Sequence, residues 1–218
     1  MIFHGFIQAG GGSTRFGTDK ALVRLAGKTM LERTGELLAS VCHEVTIIAP
    51  EGKYTDAPWP LLADRWPGQG PLGGILTALH SLQAGGPPDR FFTMVHGACP
   101  FAIILSCDMP FLTKEFLSFL KDRAVASQAL IVVPESSGRL EPLCACWCVQ
   151  STPAIQAAFD AGGRKVSEAM KHASLEVLDE SSWKRFDSDG RLFWNMNTPE
   201  DYEQARRILE ARAGKAGT

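Results

Sequence analysis

Near the start of the chain, Phe3-His4-Gly5-Phe6-Ile7-Gln8-Ala9 runs directly into Gly10-Gly11-Gly12-Ser13-Thr14-Arg15-Phe16-Gly17. The first part is short and mostly apolar, which is typical of a buried strand, and the glycines that follow break any regular element. The pattern therefore predicts a strand that feeds a glycine-rich loop. Two interpretations of that loop stay open: a set of backbone N–H groups that binds a phosphate chain, or a flexible turn with solvated charges.

Helices and apolar strands alternate beyond this loop. The sequence predicts helices over 29–42, 72–82 and 113–124, and strands over 45–49, 102–106 and 129–133, the last of them closed by Pro134. Thr29 and Glu32 have the spacing of a capping box at the start of the first helix. Strands separated by helices of this length give a parallel sheet covered on both faces, so we expect a three-layer αβα fold of the α/β class.

The pattern changes after Pro134. A strand over 140–149 returns from a turn at Ser136-Ser137-Gly138, which predicts a mixed edge of the sheet. A helix near Thr152, another over 166–171, a strand over 175–178 and a final helix from Thr198 to about residue 213 complete the chain. We expect a single domain over residues 1–213, with a frayed tail over 214–218. Residues 85–100 form the most loop-like insertion.

Length and charge limit the classes of function. The 218 residues carry 22 Lys+Arg against 24 Asp+Glu, a formal net charge of -2, which gives no field to hold a polyanion and argues against nucleic acid as a partner. No apolar run approaches the roughly 20 residues of a membrane span, and the N-terminus lacks the basic start of a signal peptide. We therefore expect a cytoplasmic protein with no membrane partner.

The six cysteines contain no C-x-x-C pair. Cys144, Cys146 and Cys148 alternate along a predicted strand and would share one of its faces. We expect these three to be reduced and buried, and to pack as small hydrophobic residues rather than to bind a metal.

Two more segments follow predicted strands and should meet the glycine loop, because ligands of open parallel sheets bind at the carboxyl ends of the strands. Asp108 is placed either to bind Mg²⁺ or to turn the chain before Pro110. In the segment 64–74, Gly73 and Gly74 stand early in a helix, where each costs about 1 kcal/mol relative to Ala. Either a close approach by a ligand or another backbone, or a loose helix start, would account for them.

Five ordered motifs, spanning about residues 5 to 210, resemble the molybdenum cofactor nucleotidyltransferases. They lie at 9–21, 67–74, 107–112, 141–143 and 195–201. The guanylyltransferases are the most similar members, and they join GMP from GTP to the phosphate of molybdopterin with release of pyrophosphate. The resemblance implies a Rossmann-like sheet of the nucleotide-diphospho-sugar transferase type, GTP and molybdopterin as partners, Mg²⁺ as cofactor, and molybdoenzymes or cofactor-insertion proteins as downstream partners.

The resemblance also implies roles for individual residues. The nucleotide would contact the backbone of Gln8, Ala9, Gly10 and Gly11, and Asp64 would contact its nucleoside. Arg15 and Lys20 would hold the phosphates and, with Asp108, carry the catalysis. Mg²⁺ would bind Asp108 with Asn197 beside it, while Asn195 and a strand at Glu141-Pro142-Leu143 would face the pterin.

The chain departs from the family pattern at two places near the expected base. Gln8 stands where the family usually has Leu, and Ala49-Pro50-Glu51-Gly52 replaces a stretch often rich in Asn. A cytidylyltransferase for the same cofactor and a transferase for another phosphorylated small molecule therefore stay as alternatives, as does a catalytically silent nucleotide-binding protein. The basic turn Gly162-Gly163-Arg164-Lys165 is expected to be solvated or to touch a substrate phosphate.

Overall fold

The structure is a computed structural model that describes residues 1–10, 19–83 and 99–216, with side chains described up to residue 212. Two of the predicted site residues, Gly11 and Arg15, lie outside the described residues. So does most of the predicted insertion at 85–100.

Ten strands and seven α-helices are formed by the described residues. The strands are β1 (Phe3–Gln8), β2 (Arg24–Leu25), β3 (Lys28–Thr29), β4 (Glu44–Ala49), β5 (Leu61–Ala63), β6 (Phe101–Ser106), β7 (Ile131–Ser136), β8 (Arg139–Leu140), β9 (Cys144–Cys148) and β10 (Leu175–Leu178). The helices are α1 (Met30–Ala39), α2 (Pro71–Gln83), α3 (Lys114–Ala126), α4 (Thr152–Asp160), α5 (Val166–Ala169), α6 (Glu180–Trp183) and α7 (Pro199–Ala216).

Eight of the described strands form one sheet in the order β10-β7-β9-β6-β1-β4-β5, with β8 paired to β7. β1 pairs in parallel with both β4 and β6, and β4 pairs in parallel with β5. Antiparallel pairing is confined to the other half of the sheet, where β9 runs between β6 and β7 and β8 pairs with the end of β7. This confirms the predicted α/β fold, with a mostly parallel sheet and a mixed edge.

Each face of the sheet is covered by helices because alternate residues of the central strands point to opposite cores. In β6, Ile103 and Leu105 enter the core that includes residues of α1 and α3, whereas Ala102 and Ile104 enter the core that includes residues of α2 and α4. Burial on both faces explains why these strands are continuous apolar runs, and it confirms the three predicted layers.

The helix starts follow the predicted caps. Thr29 and Glu32 form the capping box of α1: the Thr29 Oγ1 accepts from the Glu32 N–H at 3.0 Å, and the Glu32 carboxylate accepts from the Thr29 N–H at 2.6 Å. Thr113 caps α3 by accepting from the Phe116 N–H at 3.2 Å. Such a cap stabilises a helix by about 1 kcal/mol. No helix of the described ranges is both long and apolar enough to cross a membrane.

Two expectations about the strands around Pro134 are wrong. β7 continues through Pro134 to Ser136, because Pro134 pairs with Leu178 and its carbonyl oxygen accepts from the Glu141 N–H at 2.9 Å. Glu141-Pro142-Leu143 is a turn rather than a strand, closed by a 2.9 Å hydrogen bond from the Cys144 N–H to the Glu141 carbonyl. The long predicted strand is thus divided into β8 and β9.

The cysteine expectation is wrong for Cys148. Cys99 and Cys148 form a disulfide, because Cys148 ends β9 opposite Phe101 and so lies beside the residues that lead into β6. Cys144 and Cys146 are free and buried, as expected, and Cys42 and Cys107 are also free.

Candidate active site

A cleft of about 440 Å³ lies at the carboxyl ends of β1, β4, β5 and β6. This is the edge at which open parallel sheets bind ligands. The described residues that line it are Gln8, Ala9, Gly10, Asp19, Lys20, Ala21, Ile48, Pro50, Asp64, Pro67, Gly68, Gly70, Pro71, Ser106, Cys107, Asp108 and Leu143.

The cleft brings together seven of the predicted site residues, which come from five separate segments of the chain. They are Gln8, Ala9, Gly10, Lys20, Asp64, Asp108 and Leu143. Asn197 joins them through a 2.8 Å hydrogen bond from Lys20. Glu141, Pro142 and Asn195 are not among the lining residues described, and the Asn195 amide donates to the Phe193 carbonyl at 3.3 Å.

Gly10 is required by the backbone at the mouth of the cleft. Its φ is +96°, and a Cβ at this position would lie 2.5 Å from the Cδ of Pro50. A side chain would be both strained and in collision with the loop after β4. The end of β1 and that loop can therefore approach closely enough to form one wall.

The glycines of α2 are explained by close approaches within the chain. A Cβ on Gly74 would lie 2.3 Å from the Nε2 of Gln8, and one on Gly73 would lie 3.0 Å from the Trp66 carbonyl oxygen. The space at Gly74 admits the Gln8 side chain, which donates to the Pro71 carbonyl at 3.1 Å. Gly73 is therefore approached by another backbone, as one interpretation expected, whereas Gly74 is approached by a side chain.

Asp64 is oriented by its own loop and by α2. One of its carboxylate oxygens accepts from the Trp66 N–H at 3.0 Å and from the Thr77 hydroxyl at 3.1 Å. These hydrogen bonds fix the orientation of the carboxylate. The side chain is therefore held at the cleft as a hydrogen-bond acceptor.

Lys20 begins a short 3₁₀ helix, Lys20–Leu22, and its ammonium group donates to the Oδ1 of Asn197 at 2.8 Å. Asn197 is fixed in turn, because its N–H donates to the Asp201 carboxylate at 2.8 Å. The neighbouring Met196 N–H donates to the Asp108 carbonyl at 2.8 Å. The loop before α7 thus links Lys20 to the segment that carries Asp108.

Asp108 lines the other side of the cleft, and its charge reaches the carboxyl group of Glu141. The Ser106 hydroxyl donates to Asp108 at 2.5 Å. Burial, and next the negative charge of Asp108, raise the pKa of Glu141 to about 7, and Arg139 offsets this only in part. Burial raises the pKa of Cys107, between Ser106 and Asp108, to about 12, so its thiol is neutral. Two carboxyl groups here are short of positive charge.

This donor set fits a magnesium ion that shares its coordination with a substrate. No group of three or more His, Cys, Asp or Glu able to hold a metal occurs among the residues that the structure describes. Mg²⁺ is usually held by one or two carboxylates together with substrate phosphates and water, so a complete protein cage is not needed. Asp108 and the amide oxygen of Asn197 are the residues suited to it.

Sequence reasoning gave no role to three residues behind Lys20. The carboxylate of Asp19 accepts from the Ala21 N–H at 3.1 Å, from the Lys53 ammonium at 3.2 Å and from the Tyr54 hydroxyl at 2.8 Å. Tyr54 lies 35 positions from Asp19 in the sequence, so no local pattern could link them. Its positive φ of 57° is visible only in the structure.

The basic turn after α4 supports the cleft from outside. Arg164 donates to the side chain of Gln69 at 2.8 Å and stacks over the Phe159 ring at 4.2 Å. Gln69 belongs to the loop of which Pro67, Gly68 and Gly70 line the cleft. Arg164 is exposed, as expected of a solvated turn, and is also hydrogen-bonded to that loop.

This sheet topology, with Lys20 and Asp108 at one carboxyl-end cleft, is typical of nucleotidyltransferases. The chain belongs to the family of proteins with a MobA-like NTP transferase domain, whose family model matches residues 5–175. It is 32% identical over 218 residues to a probable molybdenum cofactor guanylyltransferase of Chloroflexus aggregans, covering 96% of each chain. It is 30% identical over 209 residues to a molybdenum cofactor guanylyltransferase of Desulfosudis oleivorans, covering 95% of this chain and 96% of that one.

Solved structures share the fold. A molybdopterin-guanine dinucleotide biosynthesis protein A from Archaeoglobus fulgidus matches with a TM-score of 0.77 at 22% identity, covering 95% of this chain and 99% of that one. A 2-C-methyl-D-erythritol 4-phosphate cytidylyltransferase from Thermus thermophilus matches with a TM-score of 0.64 at 15% identity, covering 96% and 100%. Enzymes named for different nucleotides thus share this fold, which by itself does not distinguish between them.

Proposed function

We propose that the protein transfers GMP from GTP to the phosphate of molybdopterin, releases pyrophosphate and uses Mg²⁺. The observation that carries this proposal is the meeting of Lys20 and Asp108 at one cleft, in a chain that resembles proteins named guanylyltransferases over nearly its whole length. A cytoplasmic location and delivery of the product to molybdoenzymes or cofactor-insertion proteins belong to the same proposal.

The proposed reaction is one in-line displacement. An oxygen of the molybdopterin phosphate forms a bond to the α-phosphorus of GTP, and the bond from that phosphorus to the oxygen bridging the α- and β-phosphates breaks. Pyrophosphate leaves with the electron pair. Two anions must approach each other, so charge neutralisation and alignment are most of the catalytic task.

On this proposal Lys20 binds the α-phosphoryl oxygens. Its ammonium group has three donors for phosphate oxygens, and it would release the Oδ1 of Asn197, to which it donates in this structure, when that oxygen binds the metal. The backbone of Gln8, Ala9, Gly10 and Gly11 binds the nucleotide, and Arg15 steadies the leaving pyrophosphate. Asp64 accepts from a hydroxyl of the nucleoside. The observed orientation of Asp64 and the glycine backbone at Gly10 support this assignment.

Magnesium would be held by Asp108 and Asn197, and when bound it supplies positive charge that the phosphates and the carboxyl groups of this side both need. The pterin would lie against Glu141, Pro142, Leu143 and Asn195. Leu143 lines the cleft, and burial together with the charge of Asp108 raises the pKa of Glu141. Both observations support placing the second substrate on this side.

A nucleotide panel tests the proposal. The protein is mixed with molybdopterin, Mg²⁺ and each of GTP, CTP, ATP and UTP, and both pyrophosphate release and product mass are measured. GTP is expected to be turned over fastest, with a product heavier than molybdopterin by one guanylyl group. Faster turnover of CTP would identify a cytidylyltransferase, and turnover only with another acceptor, such as methylerythritol phosphate, a related transferase. Nucleotide binding without turnover would identify a silent binding protein.

A further inference from the structure

Tyr54 reaches from the loop after β4 to the residue before Lys20. Its hydroxyl donates to the Oδ2 of Asp19 at 2.8 Å, and the Lys53 ammonium reaches the same oxygen at 3.2 Å. Burial, and next the hydrogen bond to Asp19, raise the pKa of the Tyr54 hydroxyl, so it stays a donor at neutral pH. The contact joins two loops that both border the cleft.

The backbone of Tyr54 is held in a conformation that tyrosine rarely adopts. Its φ is 57°, in the left-handed region, where a bulky residue is strained. The loop keeps this turn with a 3.0 Å hydrogen bond from the Ala57 N–H to the Tyr54 carbonyl. The turn directs the ring towards Asp19, so the strained conformation and the hydrogen bond belong to one arrangement.

The carboxylate of Asp19 passes this constraint on to Lys20. Its Oδ1 caps the short helix Lys20–Leu22 by accepting from the Ala21 N–H at 3.1 Å. One carboxylate oxygen is thus bound by Tyr54 and Lys53 and the other by the Ala21 N–H, while the Lys20 ammonium donates to Asn197 at 2.8 Å. Released from Tyr54, Asp19 could pair with Lys20 or repel the phosphates that Lys20 binds.

We propose that Tyr54 is a positioning residue for Lys20, acting through Asp19 to keep the ammonium group aimed into the cleft and free of its neighbouring carboxylate. The proposal rests on the proposed function, in which Lys20 contacts the α-phosphoryl oxygens. It assigns to the loop after β4 a part in catalysis that does not involve contact with the base.

The test compares Tyr54→Phe with Tyr202→Phe. The chain has two tyrosines, and each variant removes one hydroxyl and keeps the ring. The Tyr202 hydroxyl donates to the Arg24 carbonyl at 3.2 Å, and Tyr202 is not among the described residues that line the cleft. Tyr54→Phe is expected to lower kcat of GTP-dependent pyrophosphate release about tenfold while KM for GTP changes less than about threefold. Tyr202→Phe should leave both within about twofold of the unmodified protein.

Amide hydrogen exchange gives a readout that does not depend on activity. Loss of the Tyr54 hydroxyl is expected to speed exchange of a peptide covering residues 19–23 by about tenfold, because the cap on Ala21 becomes free to open. Asp19→Ala should do the same, because it removes both the cap on the Ala21 N–H and the acceptor of the Tyr54 hydroxyl. Tyr54→Phe in the Asp19→Ala background should add less than about twofold, since both changes remove one interaction.

The outcomes separate the two proposals. If no nucleotide is turned over by the unmodified protein, the proposed function fails, and the exchange data still decide whether Tyr54 fixes Asp19. If turnover is present but Tyr54→Phe leaves both kcat and the exchange of residues 19–23 unchanged, the positioning role is overturned. Equal losses in Tyr54→Phe and Tyr202→Phe, with matched falls in melting temperature, would also overturn it in favour of a general effect on stability.

Discussion

The cleft has two walls, and they differ in the donors that their carboxylates receive. The Lys20 wall consists of Asp19 and Lys20, which line the cleft, and of Lys53 and Tyr54, which contact Asp19; its Asp19 carboxylate accepts from an ammonium and a hydroxyl group. The Asp108 wall consists of Ser106 and Asp108, which line the cleft, and of Glu141, whose pKa the charge of Asp108 helps to raise; its Asp108 carboxylate accepts from the Ser106 hydroxyl. Considering the described residues only, neither carboxyl of the Asp108 wall takes part in an ion pair.

This difference indicates the charge of the ligand that each wall can bind. Because the protein neutralises Asp19 itself, the ammonium group of Lys20 keeps its charge for an anion. Because the Asp108 wall lacks positive charge, it is complementary to a cation that a substrate brings with it. A nucleotide with its bound metal satisfies both walls at once.

The largest effect is expected for Asp108→Asn. The substitution removes the charge that would hold the metal while keeping the shape, so kcat for pyrophosphate release from GTP and molybdopterin should fall about 1000-fold. Fixed-time assays of pyrophosphate release, with Mg²⁺ in excess, would measure kcat. A loss below about tenfold would mean that the metal is held elsewhere and that the Asp108 wall has been misread.

Lys20→Met should cost less, about 100-fold in kcat, because the metal still neutralises part of the phosphate charge. Lys20 is only half-buried and starts a three-residue helix, so the melting temperature should change little. The comparison would be broken if Lys20→Met reduced activity no more than the exposed Lys28→Met, whose ammonium is paired with Glu36.

Glu141→Gln tests the charge shortage through the pH dependence of stability. The folded-state pKa of about 7 lies above the ordinary value of 4.5, so ionisation of Glu141 destabilises the fold increasingly from about pH 4.5 to pH 7, and fully above that. The Gln variant should therefore gain melting temperature over the unmodified protein as pH rises from 5 to 8. Mg²⁺ should narrow the gap, and a gap that stays constant with pH would contradict the account.

The smallest effect is expected for Lys53→Met. Its ion pair with Asp19 is exposed, and such pairs contribute about 0–1 kcal/mol. Because Tyr54 still holds the carboxylate, kcat should change less than about threefold, and the change should shrink further in high salt. A tenfold loss would show that charge neutralisation, rather than the Tyr54 hydroxyl, controls Asp19.

Features set by neighbouring residues could be predicted from the sequence. The capping box of Thr29 and Glu32 needs residues three positions apart, and the buried strand β6 is visible as an apolar run. The meeting of Gln8, Lys20, Asp64 and Asp108 also follows from topology, since carboxyl ends of parallel strands share an edge.

Features set by distant contacts could not. Pro134 was expected to end a strand, but pairing with Leu178 and a bond from the Glu141 N–H carry β7 past it. Cys99 and Cys148 meet because β9 lies beside β6, a pairing that no spacing rule reveals. Tyr54 likewise contacts Asp19 only through the folded arrangement of two loops.

Calorimetric titration of the protein with GTP, with and without Mg²⁺, tests most directly whether the Lys20 wall binds phosphate and the Asp108 wall binds the metal. For the unmodified protein, Mg²⁺ should tighten GTP binding at least about tenfold; in Lys20→Met that gain should persist on a weaker baseline, and in Asp108→Asn it should disappear. Without Mg²⁺, Asp108→Asn should bind GTP more tightly than the unmodified protein, because one repulsive charge is gone. A magnesium gain that survives in Asp108→Asn and vanishes in Lys20→Met would contradict the assignment of the two walls.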